Sequence, residues 1–193
     1  MRNVVSLMHM SLDGFVAGPH GEMDWIAIND RVFSFVEQFI DEADTGLYGP
    51  TTFGMMESHW PAVLKDPKAS GHQLNHSRWY EKAGKVVFSR KLNKLENQSA
   101  KLIKENLANE VATLKNAPGK NLMIFGSPRL VHSFAQLGLI NEFVITVNPI
   151  ILGAGIPMFA GIDRPIRLQL IKSTELEAGV VGYHYISGGS APE

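Results

Sequence analysis

"NLMIFGSPRLVHSFAQLGLI", Asn121 to Ile140, is the stretch whose reading decides the fold. An apolar run, Leu122 to Phe125, stops at Gly126-Ser127-Pro128, and apolar residues then recur at helical spacing. The pattern predicts a buried strand over 121–125 and a helix over 128–138. Ser127 is its expected cap and Pro128 its first residue, where the missing N–H costs nothing. A strand that turns at once into a helix is the repeating unit of a parallel α/β sheet.

The same alternation extends in both directions. Val4 to Met10 reads as a buried first strand, followed by a long glycine-rich loop over 11–25. A helix is expected from Asn29 to Ala43, with Asn29 as cap, Asp30 in the first turn, and Val32, Phe33, Val36, Phe39 and Ile40 as its buried face. "TGLYG" reads as a short strand, and "PTTFGMM" starts the next helix at Pro50. Residues 61–80 read as irregular and polar. "GKVVFSRK" is a third strand with a basic exit, "AKLIKEN" a short strand and 107–117 a helix. "NEFVITVNPIIL" follows as a strand, and "IRLQLIKSTEL" with "GVVGYHYI" forms a C-terminal hairpin. The expected architecture is a three-layer α/β/α domain over 1–187. Its mixed, mostly parallel sheet has about eight strands and an antiparallel C-terminal edge. A flexible tail is expected over 188–193.

With 193 residues, the chain is long enough for one domain with a real core. Its formal net charge of -1 offers no global field for nucleic acid or an anionic membrane. There is no cysteine, so disulfides, thiolate nucleophiles and Cys-ligated zinc are excluded, and a reducing setting, the cytoplasm, is expected. The start does not read as a signal peptide, and no apolar run reaches the roughly 20 residues of a membrane span.

Three strand exits carry groups suited to phosphate. At Phe125-Gly126-Ser127-Pro128-Arg129, glycine lets the backbone approach a ligand and arginine adds charge. Tyr48-Gly49-Pro50-Thr51-Thr52 sets two hydroxyls at a helix start, and Ser89-Arg90-Lys91 puts two cations and a hydroxyl after "VVF". Cations without an acid suit an adenosine 2′-phosphate. Each exit also has a bland reading, as a helix start or a solvated turn. "GAGIPMF" is not a dinucleotide fingerprint, because Met158 stands where the third glycine would be.

"SLDGFVA" after the first strand, "LYGPTTFGMM…HWP", "VVFSRK", and "IFGSPRLVHSFAQLGLINEFVITVNPIILGAGIPMF" before a C-terminal hairpin occur in a telling order. The chain resembles the reductase domain of the bifunctional riboflavin-biosynthesis deaminase/reductase, and the wider dihydrofolate-reductase-like family, over about residues 3–187. The resemblance implies NADPH-dependent reduction of a nitrogen heterocycle. Cofactor phosphates would meet Gly49 to Thr52 and Phe125 to Leu130, the 2′-phosphate Ser89 and Arg90, and the nicotinamide Val16 and Ala17. No metal is implied, and a homodimer is expected. Pro50 stands where family members often carry arginine, and Phe125 where a second glycine is often found. An alternative reading is therefore a nucleotide- or pterin-binding protein of the same fold without catalysis.

The resemblance also sets the acid. Asp30 lies about where dihydrofolate-reductase-like enzymes place a substrate-binding carboxylate, and is the expected proton source. Asp13 matches the family's "S-L-D-G" loop and is expected to face substrate polar groups. Either could instead be local: Asp30 a charge at a helix start, Asp13 an Asp-Gly turn. Trp25 and Trp60 are candidate walls for a flat ring, or core aromatics. His72 and His76, at i and i+4, are too few to hold a metal alone.

Overall fold

Strand β1, Val4–Ser11, lies inside the sheet and shows why the strands are buried on both sides. In the computed structural model, which describes residues 1–188, Val4 and Met8 join one apolar cluster, and Val5 and Leu7 the other. The period-2 alternation of a strand sends neighbours to opposite faces. β6 (Asn121–Phe125) divides the same way: Leu122 and Ile124 go to the first cluster, Met123 and Phe125 to the second.

The eight-stranded sheet has the order β5-β4-β3-β6-β1-β7-β10-β9. β3 (Ala43–Tyr48), β4 (Gly84–Phe88), β5 (Lys101–Ile103) and β7 (Glu142–Asn148) complete its parallel part. β9 (Leu168–Glu175) and β10 (Val181–Ser187) form the antiparallel edge. The first cluster is covered by α4 (Leu107–Asn116) and α5 (Pro128–Gln136), which contribute Val111, Leu130, Val131 and Phe134. The second is covered by α1 (Asp30–Ile40), α2 (Pro50–Val63) and α3 (Gly71–Lys82). These are the three expected layers.

The structure corrects several details. Residues 61–80 are not irregular. α2 continues through Pro61 to Val63, and α3 begins at a capping box in which Ser70 and Gln73 satisfy each other's backbone N–H groups. The Trp60 carbonyl near the end of α2 accepts the Ser77 hydroxyl at 2.5 Å, which ties the two helices. The first helix stops at Ile40, because Ala43 already belongs to β3, and its buried side is Val32, Phe35, Val36 and Ile40. Phe33 is only half-buried and stacks on His72 instead. The fifth helix ends at Gln136 rather than 138.

The long early loop also contains β2 (Phe15–Ala17), which pairs antiparallel with β8 (Ile156–Pro157) as a separate ribbon. Gly155 is required there, since a Cβ would stand 2.2 Å from the Ala17 carbonyl oxygen. Of the expected tail, only Gly188 falls within the described residues, and its N–H donates to Arg167 O at 3.3 Å.

Candidate active site

The carboxyl ends of the parallel strands form one rim, and two helices open onto it side by side. α2 follows β3 through Gly49, and α5 follows β6 through Gly126 and Ser127. The Gly49 N–H donates to Ser127 Oγ at 3.0 Å, so the two helix starts are joined. A Cβ on Gly126, whose φ is +52°, would lie 3.5 Å from the Thr52 methyl carbon. Glycine thus keeps the space between the two starts narrow but clear.

Ser127 does not cap α5. It sits in the left-handed region at φ +54°, ψ +57°, makes no side-chain cap bond, and spends its Oγ on Gly49. A non-glycine residue there costs about 1–2 kcal/mol, and one neutral hydrogen bond returns about 1 kcal/mol. The contact to Gly49 therefore offsets the strain only in part, the pattern expected where geometry serves a site.

Helix starts leave N–H groups without intrahelical partners. Among the described residues, four of them on this part of the rim have no protein acceptor: those of Thr51, Thr52, Ser127 and Arg129. Arg129 is exposed and in no ion pair among the described residues. Leu130 does not join this set. Its N–H goes to Ser127 O at 2.8 Å, and its side chain is in the core. Phe125 likewise contributes its ring to the interior, stacking on Tyr48 at 6.1 Å between centroids. At the exit of β4, Ser89 Oγ accepts from the N–H groups of Lys91 and Leu92 at 3.3 and 3.1 Å. That turn leaves Arg90 exposed and without an ionic partner among the described residues.

The other part of the rim is closed by the protein itself. Asp13 Oδ1 accepts from Ser11 Oγ at 2.7 Å and from Leu152 N–H at 3.1 Å, and Oδ2 accepts from Gly153 N–H at 2.7 Å. Desolvation raises its pKa, but the Ser11 hydroxyl and the amides of Gly153 and Leu152 outweigh that and hold it below the usual carboxylate value. Asp13 is thus a clasp between the first loop and the segment after β7. Substrate contact would have to compete with those bonds. The sequence reading did not include Ser11, Leu152 and Gly153, which make the clasp. Next to it, Val16 and Ala17 are buried in β2.

Asn148, at the end of β7, accepts from Ala27 N–H at 2.9 Å and so brings the entry of α1 to the same rim. Asn29 caps α1 as expected, accepting from Val32 N–H at 3.0 Å. Asp30 is exposed in the first turn. Trp25 is half-buried and donates through Nε1 to Glu22 O at 3.0 Å. Trp60 is remote from that role, since it stacks on His76 at 3.8 Å between centroids. Burial pushes His76 down to about 3, with His59 adding to the shift, and His72 bonds Glu37 at 2.7 Å, so neither of the two is set as a ligand. Among the described residues, no helix is long and apolar enough to cross a membrane.

A mixed eight-stranded sheet of this order, with antiparallel C-terminal strands and helices on both faces, is the dihydrofolate-reductase-like architecture. The chain belongs to the RibD C-terminal domain family, which it matches over residues 2–182. It is 35% identical over 188 residues to the uncharacterized protein YyaP of Bacillus subtilis, covering 95% of each chain. Among solved structures it is similar to a putative riboflavin biosynthesis protein from Shewanella sp. PV-4, with TM-score 0.76, 22% identity, and coverage of 97% of this chain and 99% of that one. It is also similar to Enterococcus faecalis dihydrofolate reductase complexed with NADP(H) and RAB-propyl, with TM-score 0.65, 12% identity and 97% coverage of both. The Thermotoga maritima diaminohydroxyphosphoribosylaminopyrimidine deaminase/5-amino-6-(5-phosphoribosylamino)uracil reductase matches with TM-score 0.66 and 14% identity, over 96% of this chain and 56% of that one.

Proposed function

We propose that the protein is an NADPH-dependent reductase of a small nitrogen heterocycle. The observation that carries this reading is the set of unpartnered N–H groups of Thr51, Thr52, Ser127 and Arg129 on two adjoining helix starts. Partial positive charge and open donors at such starts suit a pyrophosphate. The residues present fit the cofactor: those amides and Arg129 for its phosphates, Ser89 and Arg90 for the 2′-phosphate, and Val16 and Ala17 beside the nicotinamide. Gly49 is the exception, because its N–H is already taken by Ser127.

When bound, the cofactor supplies a hydride to the carbon of a C=N or C=O bond, and a proton must reach the other atom. The chain's own task is to hold the two partners together and deliver that proton. Asp30, exposed on the first turn of α1, orients the water that delivers it. Asp13 is less suited, because both its oxygens are held by Ser11, Leu152 and Gly153. So is His9: burial pushes it down to about 4, leaving it neutral near pH 7, with Nδ1 2.5 Å from Thr146 Oγ1.

Titrating the pure protein with NADPH and following tryptophan fluorescence or heat tests the reading. Saturable binding, followed by loss of nicotinamide absorbance with a reducible heterocycle, is the expected result. Absence of binding rejects it. Binding without oxidation over a panel of heterocycles favours a binding protein of the same fold, a reading motivated by the Gly49 amide already being engaged. A homodimer belongs to the same proposal, supported by the edge strand β9, which exposes Leu170 and Ile171.

A further inference from the structure

The acceptor side of the rim has a character of its own. If the cofactor occupies the exits of β3, β4 and β6, the acceptor faces the exits of β1 and β7, which follow β6 in the sheet order. Those exits are built from residues 11–29 and 149–158. No lysine or arginine occurs anywhere in 3–30 or in 130–163. Some of the backbone donors that could replace a cation are also spent. Leu152 and Gly153 N–H groups go to Asp13, His20 N–H to Glu22 at 2.9 Å, Ala27 N–H to Asn148, and Phe15 N–H to Ser11 Oγ at 2.9 Å. At α1, Asn29 takes the Val32 amide, and the Asp30 carboxylate stands beside the two amides left open at the helix start. Arg31, which follows Asp30 in the chain, is exposed and lies 3.9 Å from Glu177. Exposed apolar side chains complete this side: Leu12, Met23, Ile28 and Ile151.

From this we infer that the acceptor is a neutral or cationic heterocycle without a phosphate ester, and that Asp30 sets this preference. The inference rests on the reductase reading and deepens it. A phosphate ester here would find no lysine or arginine in 3–30 or 130–163, only Arg31 facing Glu177. It would meet Asp30 with only the first turn of α1 to offer. An uncharged ring with polar edges would lose nothing to repulsion and would cover the apolar side chains.

The test compares two ligands on the NADP-saturated protein by calorimetry: 5-amino-6-(5-phosphoribosylamino)uracil and the same molecule without its phosphate. The unphosphorylated compound is expected to bind at least ~10-fold more tightly. Asp30→Asn should narrow that gap, and Glu177→Gln, which releases Arg31, should narrow it further. An ester that binds as well as or better than its partner overturns the inference. Failure of both compounds to bind overturns it too, while the measured binding of NADP in the same experiment leaves the reductase reading standing. A protein that takes up neither NADP nor NADPH removes both.

Discussion

Two halves of the same rim meet between β6 and β1, and they differ in how far the protein's own side chains engage the backbone amides. On the β3, β4 and β6 side, the N–H groups of Thr51, Thr52, Ser127 and Arg129 have no protein acceptor among the described residues. Arg90 and Arg129 stand exposed there. On the β1 and β7 side, Asp13, Glu22, Asn29 and Asn148 occupy the corresponding donors with the chain's own oxygen atoms. A helix start or a turn is therefore not an anion site by virtue of its geometry alone. It becomes one when the protein withholds its own acceptors.

Closing the gap on the open half should do most to erase the difference. Gly126→Val puts a β-branched side chain at φ +52°; its Cβ would be in ordinary contact with Thr52 at 3.5 Å, and its two methyls would fill the remaining gap. We expect NADPH affinity to fall about 100-fold, because the two helix starts can no longer present their amides together. Folding stability should fall only by about 1–2 kcal/mol, the cost of the left-handed backbone. Titration with cofactor and denaturant unfolding measure the two quantities separately. Equal affinity in the variant would show that these amides hold no ligand.

Arg90→Ala comes next in size. Charge-assisted hydrogen bonds to a phosphate are worth about 1.5–3 kcal/mol, so NADPH should weaken roughly 10-fold to 100-fold. NADH, which lacks the 2′-phosphate, should barely change. Equal effects on both cofactors would remove Arg90 from that role and leave the exit of β4 as a solvated turn.

The division between open and closed halves was only partly legible in the sequence. The β6–α5 unit was, because an apolar run, a glycine and a proline at helical position one leave few alternatives. The buried strands and the antiparallel edge followed from the same local patterns. Pro61 hid the last turn of α2, and polarity hid α3, although Ser70 and Gln73 stood at capping-box spacing. β2 and β8 are three and two residues long, and they pair across most of the chain. Local periodicity carries no signal for such a ribbon. Ser127 has the composition of a cap, but its left-handed backbone turns the hydroxyl to Gly49. The clasp around Asp13 is illegible for a similar reason. Its amide partners lie 139 and 140 residues further on, so an Asp-Gly pair gives no sign of what the carboxylate will meet.

Asp13 also supplies the smallest and most discriminating change. Asp13→Ala leaves the Leu152 and Gly153 amides without their acceptor and converts part of the closed half into an open one. Exchange of those two amides with solvent should speed up about 10-fold, since local opening no longer breaks their bonds to the carboxylate. In the native protein the clasp should not titrate near neutrality. Its donors favour the charged form, so the folded carboxyl ionises below the ordinary value of 3.8. The stabilisation is complete above that value and is lost only as pH falls through the lower, folded one. Amide exchange that stays slow from pH 8 down to about pH 4, and accelerates in stronger acid beyond its intrinsic pH dependence, is the expected profile. A variant with unchanged exchange would mean that Leu152 and Gly153 are held by the β2–β8 ribbon rather than by Asp13. A variant that gained affinity for inorganic phosphate would show directly that the carboxylate keeps anions off this half.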